Sequence, residues 1–149
     1  MNKMDKKIDY ETLMNASLAA NYVPFRTENE SKIKKEDVFA QELWGKIFDF
    51  IQPRVVICIS VLSFNGIKNV LKSKNYSETL PEKEEPIGWG KVTYSIMEFE
   101  KEGRNITLVR LPHLSRYRVF SENRNEECKE KIKQVTYKIA NILDAESFK

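Results

Sequence analysis

The chain has 149 residues, a formal net charge of +3 and a hydrophobic fraction of 41%. This length favours one domain covering residues 1–149, and the composition is that of an ordinary globular protein. No apolar stretch approaches the length of a membrane span and no signal peptide is visible, so we expect a cytoplasmic protein. Two distant cysteines, Cys58 and Cys128, and one histidine cannot build a standard zinc site, so we expect no metal and no cofactor.

Hydrophobic periodicity and turn residues predict helices and strands that alternate along the chain. The predicted elements are, in chain order, helix 8–19, loop 21–26, helix 36–51, strand 54–60, helix 64–74, loop 75–86, a hairpin of strands 91–100 and 104–111, and helix 122–145. The order helix, strand, helix indicates an α/β fold with a short, partly parallel sheet flanked by helices. Strand 54–60 lacks polar–apolar alternation, which predicts that both of its faces are covered.

The only histidine, His113, comes after the strand-like run 106–111 and Pro112. Open α/β folds place their ligands at the carboxyl ends of strands, and histidine is the residue type that most readily exchanges a proton near neutral pH. His113 is therefore a candidate to donate a hydrogen bond to a developing anion or to hold a proton. Ser115 and Arg116 are candidates for phosphate contacts. The alternative is an ordinary loop histidine, with Ser115 capping a short helix.

A second candidate segment is 21–26, with the sequence NYVPFR. The amide of Asn21 offers an acceptor and two donors, which suits the edge of a nucleobase. Phe25 is suited to stacking on a planar ring, and Arg26 to neutralising a phosphate. The alternative is a turn built from Asn and Pro, with Phe25 in the core.

Two further residues are expected to serve packing. Trp89 lies between two glycines, and a tryptophan is more often partly buried than free to stack on a ligand. Cys58 lies inside the most apolar strand and is expected to be a small buried hydrophobic residue.

Together, these segments resemble the uracil-DNA glycosylase superfamily. Segment 21–26 is similar to the family's Asn-containing motif. Helix 36–51, followed by Pro53 and strand 54–60, looks like its helix–Pro–strand step. Segment 112–115 (PHLS) looks like its late His-Pro-Ser loop. The resemblance covers residue 15 to the C-terminus, which corresponds to the later two-thirds of the family's domain. It implies that Asn21 recognises an extruded base, that His113 stabilises charge on the departing base, and that the Ser115 region contacts the DNA backbone.

The sequence also departs from the family pattern. The family's first motif is a Gly- and Pro-rich loop whose Asp or Asn positions the attacking water, and residues 1–20 contain no such loop. Leu114 replaces the usual Pro of the late loop. The expected fold is therefore a glycosylase-like domain that lacks the N-terminal strand and the water-activating loop. Two explanations fit the missing motif. The chain is a truncated product, or has a misplaced start, of a full glycosylase-like protein; or it is a shortened homologue that binds DNA without excising a base.

The expected function is binding of DNA or a nucleobase, with base excision put in doubt by the missing motif. If the protein is active, it is a DNA glycosylase and His113 is the catalytic candidate. The residues expected to contact the ligand are Asn21 and Phe25 on the base, and Arg26, Ser115 and Arg116 on the backbone. The alternative is a non-enzymatic protein-interaction domain with no nucleic-acid ligand, which docks through the Lys-rich last helix and the hairpin. We expect no membrane partner under either hypothesis.

Overall fold

The computed structural model describes residues 11, 15–24 and 34–144. The bounded elements are α1 (Lys34–Phe50), β1 (Val55–Cys58), α2 (Val61–Ser73), β2 (Ser77–Pro86), β3 (Thr93–Lys101), β4 (Arg104–Arg110), α3 (Leu114–Tyr117) and α4 (Glu126–Asp144). Of the predicted helix 8–19, residues 11 and 15 are helical, while 8–10 and 12–14 lie outside the described residues.

The strands form one mixed sheet in the order β1-β4-β3-β2. β1 runs parallel to β4, with Val55 opposite Thr107, and the other two pairs are antiparallel. Glu102 and Gly103 join β3 to β4 with positive φ angles, which is the turn expected for the hairpin. The predicted α/β fold with a short, partly parallel sheet flanked by helices is confirmed.

The prediction of a loop at 75–86 was wrong, because Ser77–Pro86 forms β2 at one edge of the sheet. Its many charged residues look loop-like in sequence, yet most of its side chains are exposed. An edge strand tolerates charge and proline, because one row of its backbone groups faces solvent. Lys68 and Lys72 of α2 reach across the sheet to pair with Glu82 and Glu78, at 3.1 Å and 3.3 Å.

The expectation that both faces of strand 54–60 are covered holds only in part: Val56 and Cys58 pack in one core cluster and Val55 against the other, but later residues on the Val55 face are exposed. β1 is the other edge of the sheet, and Ile57 is 48% exposed. The strands with two buried faces are the inner ones: in β3, Tyr94 and Ile96 belong to one core cluster and Met97 and Phe99 to the other, and β4 likewise contributes to both clusters. A continuous apolar run therefore identified the strand but not its place in the sheet.

The sheet separates two hydrophobic clusters. The first joins α1 and α2 to one face, and its buried members include Phe48, Phe64, Leu71, Phe99 and Leu108. The second joins α4 to the other face, and its buried members include Ile87, Tyr94, Val109, Cys128 and Val135. The buried stripe predicted for the last helix is confirmed at Cys128, Ile132 and Val135, and the predicted burial of Cys58 is confirmed.

Two helices begin where a polar side chain caps them. The Ser60 hydroxyl accepts the amide hydrogen of Ser63 at 3.1 Å, so α2 starts at Val61 and not at residue 64. The side-chain oxygen of Asn125 accepts the amide hydrogen of Cys128 at 2.9 Å, so α4 starts at Glu126 and not at residue 122. In the described part of the chain, no helix is long and apolar enough to cross a membrane.

Candidate nucleic-acid interface

His113 lies at the carboxyl end of β4, where the sequence places it. The Leu111 amide donates to the Cys58 carbonyl at 2.8 Å, which ties the segment after β4 to the end of β1. Pro112 is buried and His113 is exposed. The residue before α3 is His113 and its side chain makes no capping bond, so the alternative that Ser115 caps the short helix was wrong. Ser115 lies inside α3, and its side chain is outside the described part.

Two arginines beside His113 have exposed side chains. Arg116 lies over the ring of Tyr117, with 5.4 Å between the guanidinium carbon and the ring centroid. Arg118 ends α3 in the left-handed region with φ of 45°, and its amide donates to the Leu114 carbonyl at 2.8 Å. Exposed guanidinium groups of this kind contact phosphates readily, because they are charged and carry several donors.

Trp89 packs into the protein, as predicted. Its ring meets Tyr117 edge to face at 6.0 Å, and the Arg124 guanidinium carbon lies 3.7 Å from its centroid. Arg124 also donates hydrogen bonds to the backbone carbonyls of Tyr117 and Arg118. Asn125 donates to the Gly88 carbonyl at 3.0 Å. These contacts fix the 88–90 loop and the segment after α3 against each other.

Arg110, the last residue of β4, is a site residue that sequence reasoning missed. Its side chain is only 12% exposed and donates to Ser95 at 2.9 Å and to Thr93 at 3.2 Å. Glu84 of β2 lies 3.5 Å away and balances the charge. This arrangement joins three neighbouring strands at the end of the sheet from which His113 emerges. The sequence signal was a cation at the end of a strand, directly after the segment 106–109 (ITLV).

Asn21 is exposed, and its neighbour Tyr22 anchors the segment. The Tyr22 hydroxyl donates to Asp37 at 2.6 Å, and its carbonyl accepts from the indole of Trp44 at 3.0 Å. Burial, and then the bond to Asp37, raise the pKa of Tyr22. Phe25 and Arg26 lie outside the described residues.

The Asn21 and His113 segments both approach the carboxyl end of β1. Tyr22 and Cys58 belong to the same core cluster, and the Cys58 carbonyl accepts the Leu111 amide. Burial raises the pKa of the Cys58 thiol to about 12, which favours the uncharged thiol near neutral pH and agrees with a packing role. Tyr22 lies in the cluster on the α1–α2 face and Leu111 in the cluster on the α4 face. That Asn21 and His113 share one pocket stays a prediction.

Surface cavities of about 300 and 220 Å³ lie elsewhere and are lined by neither Asn21 nor His113. In the residues described, no group of three or more His, Cys, Asp or Glu side chains is placed to hold a metal ion. Comparisons with family models, curated proteins and solved structures found no match to this chain.

The positive charge of the chain is concentrated around His113. Residues 110–124 contain four arginines and one glutamate, an excess of three that equals the net charge of the whole protein. Arg110 and Arg124 are held in internal contacts, while Arg116 and Arg118 are exposed. The segment therefore presents two exposed guanidinium groups, while two other arginines hold it in place.

Proposed function

We propose that this protein binds DNA or a nucleobase at the carboxyl ends of β1 and β4. The observation that carries the proposal is the exposed pair Arg116 and Arg118 beside His113, in the segment that holds the excess positive charge. Phosphate contacts by Arg supply most of the sequence-independent affinity of DNA-binding proteins.

The resemblance to uracil-DNA glycosylases supplies the roles within this proposal. Asn21 recognises the edge of an extruded base, and Phe25 stacks against its ring. His113 donates a hydrogen bond to negative charge on the base, which is a binding role that needs no attacking water. Arg26 and Ser115 join Arg116 on the DNA backbone.

In this role the protein binds DNA or a nucleobase without efficient base excision. Hydrolysis of the N-glycosidic bond needs a group that positions water, and residues 1–20 lack the Gly- and Pro-rich loop that carries this group in the family. We therefore expect no release of uracil from uracil-containing single- or double-stranded DNA. Robust release that His113→Ala abolishes would show that the protein is an enzyme.

Fluorescence anisotropy with labelled single- and double-stranded DNA tests the binding site. The logarithm of the binding constant should fall linearly with the logarithm of salt concentration, by about 0.9 for each phosphate contact on duplex DNA. The double variant Arg116→Ala/Arg118→Ala should lose about 2 from this slope, because two contacts are removed. The matched control is Arg104→Ala, an exposed arginine at the opposite end of β4.

The slope of Arg104→Ala should equal that of the wild type. Equal losses in both variants would mean that DNA binds to general surface charge, and would contradict the proposed site. If neither the wild type nor the variants bind DNA at low salt, the alternative of a protein-interaction domain is preferred. The exposed aliphatic side chains of Ile57, Ile59 and Val61 favour that alternative.

A further inference from the structure

The two edges of the sheet are protected very differently. β2 carries four glutamates, a lysine and two prolines over Glu78–Pro86, and its pairing with β3 is irregular at Leu80. Such features discourage another strand from pairing with an edge. Residues 55–64, which include β1, contain no charged residue and no proline. β1 therefore has none of these features.

The hydrogen bonds of β1 show which of its backbone groups face outward. The carbonyls of Arg54 and Cys58 accept amide hydrogens from Thr107 and Leu111 of the neighbouring chain segment, each at 2.8 Å. Alternate residues of a strand direct their polar backbone groups to opposite edges. The N–H and C=O groups of Val55 and Ile57 therefore point away from β4, and no partner for them is present among the described residues.

Apolar side chains surround this open edge. Ile57, Ile59 and Val61 are 48%, 41% and 58% exposed, and they lie on or directly after β1. A partner that offers charged groups would gain nothing from this uncharged surface. An identical edge matches it in both hydrogen bonding and polarity, and a two-fold axis brings the same residues of two copies together.

We propose that β1 pairs antiparallel with β1 of a second copy of this chain. Ile57 lies on the two-fold axis opposite its own counterpart, where the two residues exchange both N–H···O=C bonds. Val55 then lies opposite Ile59 of the second copy. The two four-stranded sheets become one sheet of eight strands, and the exposed aliphatic side chains cover each other.

The dimer is weak, because its surface is small. Stable interfaces bury about 800 Å² on each partner, and a pairing over one short strand with a few aliphatic side chains covers less. We expect half-dimerisation at protein concentrations of roughly 100 µM. The proposed DNA contacts of Arg116 and Arg118 do not depend on this pairing, because both residues follow β4.

Sedimentation velocity from 5 to 500 µM tests the pairing. The sedimentation coefficient of the wild type should rise from the monomer value to the dimer value. Ile57→Lys should stay monomeric at every concentration, because two lysines would face each other on the axis. The control, Thr79→Lys on the exposed edge strand β2, should dimerise like the wild type.

Hydrogen exchange at the amides of Val55 and Ile57 adds a second readout, with slower exchange expected as the concentration rises. A wild type that is monomeric up to 500 µM would overturn the proposal. Dimerisation of Ile57→Lys at the wild-type concentration would also overturn it. Slow exchange of both amides in the monomer would show that a segment of the same chain covers the edge, and would exclude the dimer.

Discussion

Gly66 determines how the segment that carries Asn21 is held. It lies inside α2, where glycine costs about 1 kcal/mol relative to alanine. A Cβ atom at this position would lie 2.0 Å from the hydroxyl oxygen of Tyr22 and 2.1 Å from its ring. The helix therefore keeps a residue that weakens it, because only glycine leaves room for Tyr22.

A double-mutant cycle at Gly66 and Tyr22 tests this relation. Gly66→Ala should lower the free energy of unfolding by about 1–3 kcal/mol, because the ring or the helix must move. In a Tyr22→Ala background the same change should raise it by about 0.5–1 kcal/mol, because alanine favours the helix and the clash is gone. Urea unfolding measures both. Equal effects in the two backgrounds would contradict the contact.

Residue type alone identified His113, Arg116 and Asn21 as candidate ligand contacts. Their side chains suit stabilising an anion, contacting a phosphate and recognising a base edge, respectively. It could not identify Tyr22 or Arg110 as the residues that hold these segments. Their importance comes from contacts with Asp37, Ser95 and Glu84, which are remote in sequence. The glycine within an otherwise helical pattern was the available signal for Tyr22, since such a glycine often marks a close approach.

Among the elements, β2 shows where hydrophobic patterning fails. Its sequence has the charge and proline content of a loop, and sequence reasoning therefore misses it. The strand forms because its partner β3 supplies a long row of backbone donors and acceptors, from Thr93 to Glu100. Nothing local in β2 encodes that partner, whereas the apolar runs of β1 and β4 identify themselves as strands.

The loop 88–90 offers a test at this scale, because Arg124 holds it through Trp89. Arg124→Ala removes a cation–π contact and two hydrogen bonds to backbone carbonyls, so the free energy of unfolding should fall by about 1–3 kcal/mol. In a Trp44→Phe background, Trp89 is the only tryptophan and its fluorescence should shift to longer wavelength. Within the described residues the ring that Arg116 contacts is that of Tyr117, so Arg116→Ala should leave that emission unchanged. An unchanged emission in Arg124→Ala would contradict the contact.

For the whole molecule, the fold class was predictable and the strand order was not. Periodicity and the order of elements indicate an α/β fold. The pairing of Val55 with Thr107 joins residues far apart in the chain, and no local pattern specifies it. The place of β1 at an edge, and with it the exposure of Ile57, follows from that pairing.

The titration of buried groups on both faces of the sheet predicts how stability depends on pH. Burial raises the pKa of Cys58 from 9 to about 12 and that of Tyr94 from 10 to about 12, and it also raises the pKa of Tyr22 and Cys128. The folded state therefore binds more protons than the unfolded state at alkaline pH. As far as these groups determine it, the free energy of unfolding should be constant from neutral pH to about pH 9 and fall between pH 9 and 12.

Urea unfolding at a series of pH values, with phenolate absorbance, measures this decline. Tyr94→Phe is less stable at pH 8 because it loses its 2.6 Å bond to Glu85, but its stability should fall less steeply above pH 10. An equally steep decline in the variant would show that Tyr94 titrates normally in the folded protein.

The concentration of arginine between residues 110 and 124 has a consequence before any contact forms. Elsewhere the chain has equal numbers of acidic and basic residues, so its excess charge is displaced toward one end of the sheet. A charge distribution of this kind turns the molecule in the field of an approaching polyanion and raises the rate of productive encounters at low ionic strength. Arg116 and Arg118 therefore bias which side of the protein arrives first.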